Sequence, residues 1–270
     1  MLAGPKSRIP NLLHFFSFLA LTVAAFVVSE VLVLASAHGV SVEASLKDQR
    51  LQLFVNVLTY VIALAAAYFV MPLFWNRSFP EGLQWNFANA SPLLGLGGLV
   101  LGFAAQGVTV FIPHTKELPI EEIFHNPAII WFLVLFAVVI GPLFEEIMFR
   151  GFLLPGIAIT ADWLRIPRGA TDTESLENLR EWRESPGYSK VSLIVSSLIT
   201  SALFAAIHGP QLGYTVPALA LLMCVSLVLC FVRLRTGSVA ASTVVHGCYN
   251  LSVFLTLFVS TSGFRHLDKI

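Results

Sequence analysis

Charged residues are scarce in this sequence. Lys, Arg, Asp and Glu make up 12% of its 270 residues, whereas hydrophobic residues make up 56%. A soluble domain has about 25% charged residues, so this balance excludes an ordinary soluble protein and predicts a polytopic membrane protein. The formal net charge is zero. We therefore expect no nucleic-acid partner, because binding to the phosphate backbone depends on an excess of positive charge.

Cysteine is also rare, and the three cysteines do not form a recognisable site. Cys224 and Cys230 share one apolar run and Cys248 lies in another, without a Cys-x-x-Cys spacing. This pattern excludes a disulfide framework and a cysteine metal site. We interpret the three side chains as buried apolar thiols. The sequence shows no internal repeat and no low-complexity tract.

Apolar runs long enough to cross a bilayer, about 20 residues each, recur along the whole chain. They cover residues 12–35, 51–75, 92–112, 128–164, 191–208, 216–234 and 239–259. The predicted fold class is therefore all-α, a polytopic transmembrane helix bundle with about seven spans. Six or eight spans are alternatives, because the fourth run is too long for one upright helix. Four glycines in the third run, Gly95, Gly97, Gly98 and Gly102, predict close packing against another helix.

The longest polar segment covers residues 162–190 and holds 11 of the 32 charged residues. Thr171 and Glu174 have the spacing of a capping box, and Leu176, Leu179 and Trp182 follow at intervals of three. We predict a short helix with one apolar stripe that lies on the membrane surface. We divide the chain into residues 1–127, which carry no recognised motif, and a core of residues 128–260.

Lys and Arg residues in the loops predict the orientation of the chain. With seven spans, ten of them fall on the side of the N-terminus and five on the other side. The first group is Lys6, Arg8, Arg77, Arg165, Arg168, Arg180, Arg183, Lys190, Arg233 and Arg235. We therefore expect the N-terminus of this integral membrane protein to lie in the cytoplasm. The expected location is a bacterial inner membrane.

Three groups of polar side chains lie inside the apolar runs. The first is Glu145, Glu146 and Arg150, and each ionisable residue there costs about 2.5–3.5 kcal/mol to insert. Residues four apart share a helix face, so Glu146 and Arg150 are predicted to form an ion pair. Glu145 lies about 100° around the helix, without that partner, and remains available as a general base.

The other two groups are Phe204 with His208 and His246 with Asn250, each pair also four apart. Together with Glu145, these side chains suffice to hold and activate a water molecule in one of two ways. A divalent metal, Zn²⁺ or another, could bind Glu145, His208 and His246 and lower the pKa of the water. Alternatively, Glu145 deprotonates the water while His208, His246 and Asn250 bind the water and the developing oxyanion.

The predicted depths of these residues place a constraint on the fold. Upright helices starting near residues 128 and 192 would leave Glu145 and His208 near opposite surfaces. We therefore predict one long, tilted or broken helix over residues 128–164, with a bend at Gly141-Pro142. A shared water requires Glu145 and His208 to lie within about 12 Å of each other.

At these residues the sequence resembles the CPBP family of intramembrane proteases. The family comprises CAAX proteases and bacteriocin-processing enzymes and is also called the Abi family. Its motifs are Glu-Glu-x-x-x-Arg, Phe-x-x-x-His and His-x-x-x-Asn/Asp/Ser, all within transmembrane helices. Here they are residues 145–150, 204–208 and 246–250. The resemblance extends over about residues 128–259.

The resemblance implies an intramembrane endopeptidase in which Glu145 activates the water. Glu146 and Arg150 would support the site, and His208, His246 and Asn250 would complete it. The expected partners are the lipid bilayer and a membrane protein or lipidated peptide substrate. Eukaryotic members of the family include the type II CAAX prenyl endopeptidase, which removes the last three residues of prenylated proteins. Members of the family have been called metalloproteases, which keeps a zinc site at Glu145, His208 and His246 as an expectation.

Two further functions remain as alternatives. One is a non-catalytic bacteriocin-immunity or interaction protein of the same fold. The other is an ion-coupled transporter that uses Glu30 and the Glu145–Arg150 cluster. Other intramembrane protease chemistries are not indicated, because the sequence lacks Gly-x-Ser-Gly, Gly-x-Gly-Asp and His-Glu-x-x-His motifs.

Overall fold

The protein is an all-α bundle of membrane-spanning helices, as the sequence predicts. The computed structural model describes residues 9–36, 41, 43, 48–111, 129–185 and 187–267, and these residues form helices without any β-strand. Seven helices in the described part are long and apolar enough to cross a membrane, which confirms the fold class and the predicted number of spans.

The described residues contain seven spanning helices and, between them, two short α-helices. The spans are α1 (Leu12–Ser36), α2 (Gln49–Trp75), α4 (Pro92–Thr109), α5 (Ile130–Trp163), α7 (Lys190–Ile207), α8 (Val216–Thr236) and α9 (Val239–Ser260). The small helices are α3 (Phe79–Leu83) and α6 (Asp172–Glu184). The start of the fourth apolar run, at residue 128, lies outside the described residues.

Local sequence signals set several of these helix boundaries. Asp48, Ser189 and Ser238 accept hydrogen bonds from backbone N–H groups in the first turns of α2, α7 and α9, as N-cap residues do. Helix α8 ends at Gly237, whose φ of 63° is a left-handed conformation that glycine adopts without steric cost. One half of the predicted capping box of α6 is present, because Thr171 Oγ1 accepts a hydrogen bond from Glu174 N at 3.2 Å. The Glu174 side chain accepts from Ala170 N, at 2.7 Å, rather than from Thr171 N.

Helices α4 and α9 run parallel and pack through the predicted glycine face. A Cβ at Gly98 would meet the Val245 carbonyl, and one at Gly102 would meet the Tyr249 carbonyl and Ser252. The backbones therefore approach as closely as small residues permit. This contact fixes α9 against the bundle and with it the two polar residues of its motif.

Helices α5 and α7 run antiparallel, which places Glu145 and His208 at the same depth. At the end of α5, Asp162 Oδ1 accepts a hydrogen bond from Ser192 Oγ at 2.6 Å. Glu145 lies 17 residues before Asp162, and His208 lies 16 residues after Ser192. At 1.5 Å per residue both lie about 25 Å from this shared end. The predicted long helix over this region is confirmed. Glu145 and His208 do not lie near opposite surfaces, because both are about equally far from the end where α5 meets α7.

The long helix α5 is not regular. Its turns are π-helical at Phe136–Ile140 and again at Ile147–Leu153, on either side of the α-helical Gly141–Glu146. Each π segment lies just ahead of a proline, Pro142 or Pro155. The bend predicted at Gly141-Pro142 stays a prediction, and the structure shows a change of helical register there. Single-turn π segments of this kind are frequent at functional sites.

Candidate active site

Glu145 lies between two histidines from two other spanning helices. Its Oε1 is 3.9 Å from His208 Nε2, at the C-terminal end of α7, and its Oε2 is 3.8 Å from His246 Nε2 on α9. Glu145 and His208 remain partly accessible, with 18% and 17% of their side chains exposed. The three side chains predicted to share one site are thus brought together by the fold, well within 12 Å.

Hydrogen bonding fixes which nitrogen of His208 carries a proton. Its Nδ1 lies 2.7 Å from the Phe204 carbonyl oxygen. A carbonyl oxygen only accepts hydrogen bonds, so Nδ1 is the N–H and donates it. In the neutral ring, Nε2 then carries a lone pair and faces Glu145. The four-residue spacing of Phe204 and His208 is what allows this bond within the last turn of α7.

His246 is oriented in the same sense by a buried carboxylate. Its Nδ1 lies 2.9 Å from Glu146 Oε1, and the same oxygen accepts a hydrogen bond from Arg150 Nη1 at 2.8 Å. The side chains of Glu146 and Arg150 are fully buried, which confirms the predicted ion pair. A carboxylate paired with arginine accepts rather than donates, so His246 donates from Nδ1 and turns the lone pair of Nε2 toward Glu145.

Phe204 holds these groups together. Its ring centroid is 4.7 Å from the Arg150 guanidinium carbon, 4.6 Å from the His208 ring and 5.8 Å from the His246 ring. The first contact is a cation–π interaction. Phe204 is almost completely buried, so its part in the motif is to pack the arginine against both histidines.

Two polar residues of α8 also support the site and were missed by sequence reasoning. Ser226 accepts hydrogen bonds from Arg150 Nη2 at its carbonyl oxygen, at 3.0 Å, and at its hydroxyl, at 2.7 Å. Arg233 donates to the Arg150 carbonyl at 3.3 Å. A lone serine in an apolar run carries little signal. Arg233 was assigned to a loop because it lies near a helix end, and that assignment is wrong, since its side chain is buried.

Asn250 contacts the long helix rather than the histidines. Its Nδ2 donates a hydrogen bond to the Ala137 carbonyl at 2.7 Å. In the first π segment the Gly141 N–H bonds to Phe136, five residues back, so the next N–H would serve Ala137. The next residue is Pro142, which has no N–H. Asn250 therefore supplies the donor that the proline lacks.

The carboxylate and imidazole groups at Glu145, His208 and His246 are suitable metal ligands, but the distances between them are longer than a metal ion requires. Zinc accepts imidazole and carboxylate ligands, and rings that ligate metals usually donate their other N–H to a carboxylate or carbonyl, as both rings do here. However, two ligands of one tetrahedral zinc stand only about 3.3 Å apart. Among the described residues no group of three or more His, Cys, Asp and Glu side chains is arranged to hold a metal ion.

The same distances do permit a shared water molecule. Two groups that each hydrogen-bond one water, at about 2.8 Å, stand at most about 5.6 Å apart, and the separations of 3.8 and 3.9 Å lie within this limit. A water molecule has two O–H groups, so it can donate one to Glu145 and the other to the lone pair of one histidine, and it then separates acceptors that would otherwise repel one another. The arrangement therefore suits a carboxylate that removes a proton from a water positioned by an imidazole.

In the part of the chain that the structure describes, seven apolar helices with a Glu/His cluster between them define an integral membrane protein with a polar site inside the bundle. The model of the Rce1-like family, described as type II CAAX prenyl endopeptidase Rce1-like, matches residues 127–252. The matched segment is somewhat less than half of the chain, and the match confirms the resemblance to CAAX-type proteases. It includes all three motifs.

Comparisons with individual proteins add nothing to this assignment. No curated protein and no solved structure matches the chain. The family therefore rests on the match over residues 127–252 and on the three motifs within it.

Proposed function

We propose that the protein is an intramembrane endopeptidase that hydrolyses a peptide bond of a membrane-associated protein or lipidated peptide. The observation that carries this proposal is the approach of both Glu145 carboxylate oxygens to two histidines, at 3.8 and 3.9 Å, from two other helices. The match of residues 127–252 to the model of the Rce1-like family supports the reaction class. Residues 128–260 would form the catalytic core.

The contacts suggest a role for each residue in the reaction. Glu145 accepts a proton from the bound water, and the resulting hydroxide attacks the carbonyl carbon of the scissile peptide bond. His208 positions the water through Nε2. Glu145 then passes this proton to Nε2 of His246, and Glu146 stabilises the resulting imidazolium from Nδ1 as the triad carboxylate does in serine proteases. The imidazolium donates its Nε2–H to the oxyanion and then transfers that proton to the leaving amine as the C–N bond breaks.

Arg150 and Asn250 do not contact the water themselves in this mechanism and act through neighbouring groups. Arg150 neutralises Glu146 and keeps its carboxylate ionised, which the hydrogen bond to His246 requires. Asn250, through the Ala137 carbonyl, holds the helix that presents Glu145. We thus assign Asn250 to positioning rather than to the oxyanion. A divalent metal at Glu145, His208 and His246 remains the second candidate arrangement; it would require the three side chains to draw together by about 0.5 Å.

The substrate proposal follows from the family. A type II CAAX prenyl endopeptidase acts on prenylated chains, so we propose a prenylated CAAX-type peptide as the preferred substrate, with the lipid chain in the bilayer. The charge distribution favours a cytoplasmic N-terminus, and we propose a bacterial inner membrane as the location. The membrane-surface position of α6 belongs to the same proposal.

A cleavage assay with the full chain in liposomes tests the proposal. Fluorogenic peptides of one sequence, with and without a farnesyl group on the cysteine, are compared for the native protein and Glu145→Gln. We expect cleavage of the farnesylated peptide and a loss of at least about 1000-fold in Glu145→Gln. Glu30→Gln is the matched control, because it also removes a carboxylate from a spanning helix. It should retain activity.

Two results would contradict the proposal. One is full activity in Glu145→Gln, and the other is equal loss in Glu30→Gln. Equal cleavage of both peptides would contradict the prenylated substrate alone. Activity that is lost on chelation and restored by Zn²⁺ would favour the metal arrangement over direct deprotonation by Glu145.

A further inference from the structure

The second π segment of α5 leaves one backbone carbonyl in need of a donor. At its end the Leu154 N–H bonds to Phe149, five residues back. The next N–H along the helix would serve the Arg150 carbonyl, but the next residue is Pro155, which has none. A buried carbonyl without a hydrogen bond destabilises the fold, so this group must be satisfied from another helix.

Arg233 supplies that donor. Its Nε lies 3.3 Å from the Arg150 carbonyl, and its Nη2 donates to Gln84 Oε1 at 2.6 Å. An arginine near the end of a spanning helix usually extends to the membrane surface, whereas Arg233 is buried, with 6% of its surface exposed. Gln84 is itself held in place, because its carbonyl accepts the Val239 N–H at 3.2 Å.

The first π segment also has a proline that leaves a carbonyl without a donor and a side chain of another helix that supplies one. There Pro142 leaves the Ala137 carbonyl without a helical donor, and Asn250 bonds to it at 2.7 Å. Each proline thus comes five residues after the carbonyl that it fails to serve. The two cross-helix bonds bracket the segment that carries Glu145 and Glu146.

We propose that Arg233 is a positioning residue of the active site, which holds α5 in the π register by binding the carbonyl that Pro155 leaves free. Without this bond the helix can satisfy the Arg150 carbonyl by returning to the α register, through the Leu154 N–H. Loss of the extra residue rotates one side of the helix against the other by about 100°. Because Asp162 anchors the far end of α5 on α7, the rotation turns Glu146 away from His246.

The consequence for activity rests on the proposed function, whereas the consequence for structure does not. Arg233→Met removes the donor while keeping an unbranched apolar side chain. We expect the turnover number to fall about 10- to 100-fold, with a much smaller change in KM, because the misplaced group acts on the chemical step. Arg233→Lys should not restore it, since one ammonium cannot reproduce the guanidinium bonds to Arg150 and Gln84.

Proline replacement provides the decisive test. Pro155→Ala gives residue 155 an N–H that can reach the Arg150 carbonyl in the π register, so it should rescue Arg233→Met. Pro142→Ala restores a donor to Ala137 instead, so it should rescue Asn250→Leu but not Arg233→Met. The thermal unfolding midpoint of each full-length variant in detergent is measured beside turnover and should show the same crossed pattern.

The two measurements separate this proposal from the proposed function. A native protein without peptidase activity, whose unfolding midpoints still show crossed rescue, would contradict the proposed function and support the role of Arg233 in the fold. An Arg233→Met variant with native turnover, or one rescued equally by both proline replacements, would overturn the role of Arg233.

Discussion

Glu146 and His246, 100 residues apart in the chain, are joined by a hydrogen bond of 2.9 Å between Oε1 and Nδ1. Oε1 also accepts the Arg150 Nη1–H at 2.8 Å. One buried oxygen therefore neutralises a cation and orients a histidine at the same time. This dual role explains why two adjacent glutamates occur in an apolar helix, since Glu145 faces the water position and Glu146 serves the groups behind it.

The first prediction concerns this buried pair. Glu146→Gln leaves the Arg150 charge without its partner, so we expect a loss of about 3–5 kcal/mol in the free energy of unfolding. The double variant Glu146→Gln/Arg150→Met should regain much of that stability, because the glutamine oxygen still accepts the His246 Nδ1–H. It should not regain activity, because no carboxylate remains to stabilise the imidazolium. Reversible unfolding in detergent provides the measurement.

The surface pair of Arg180 and Glu184 provides a matched control. It has the same four-residue spacing, at 3.0 Å, but both side chains are largely exposed. Breaking it with Arg180→Met should change stability by no more than about 0.5 kcal/mol. A double variant of the buried pair that is less stable than either single variant would contradict the interpretation of Glu146 and Arg150 as a mutually neutralising pair.

The second prediction concerns the tautomers of the two site histidines. Both His208 and His246 donate from Nδ1, so both neutral rings should carry their proton on Nδ1. Nitrogen NMR of ¹⁵N-histidine-labelled protein, with resonances assigned by single His→Gln variants, distinguishes the tautomers. A proton on Nε2 of either neutral ring would contradict the orientation described for the water site. Glu146→Gln should leave the His208 signal unchanged.

The third prediction concerns the glycine face of α4. Gly98→Ala places a methyl group against the Val245 carbonyl of α9, and we expect a loss of about 1–3 kcal/mol because the backbones must separate. Gly97, one residue earlier, has open space around the same position among the described residues. Gly97→Ala should be neutral or slightly stabilising, by up to about 1 kcal/mol, through helix propensity. Thermal unfolding of the two variants compares them directly.

The fourth prediction tests the orientation in the membrane. In a variant without native cysteines, Thr173→Cys places a thiol on the exposed part of α6, and Arg265→Cys places one beyond α9. With the N-terminus in the cytoplasm, a membrane-impermeant maleimide added to spheroplasts should label position 265 and leave position 173 unlabelled until the membrane is opened. The reverse pattern would invert the proposed topology.

Much of the site could be predicted from the sequence. Charged residues inside an apolar run cost free energy to insert into a membrane, so they are rare and easily recognised. Glu145, Glu146 and Arg150 stood out against apolar neighbours, and the spacing of four residues correctly predicted the ion pair. Ser226 and Arg233 could not be found in this way. A serine costs little free energy in an apolar helix, and an arginine near a helix end normally extends to the membrane interface. Neither residue is therefore unusual enough in the sequence to be recognised as part of the site.

The sequence by itself determined the all-α class, the seven spans and the three polar groups, because hydropathy and helical period are local properties. Only the tertiary structure decided which groups meet. The antiparallel packing of α5 and α7 brings Glu145 to the depth of His208, and the prolines in α5 set the register in which Glu145 faces both histidines. Asn250, expected at the water, also donates a hydrogen bond to the Ala137 carbonyl of α5. These relationships depend on hydrogen bonds from side chains to backbone carbonyls between residues far apart in the chain, and such bonds produce no periodic pattern in the sequence.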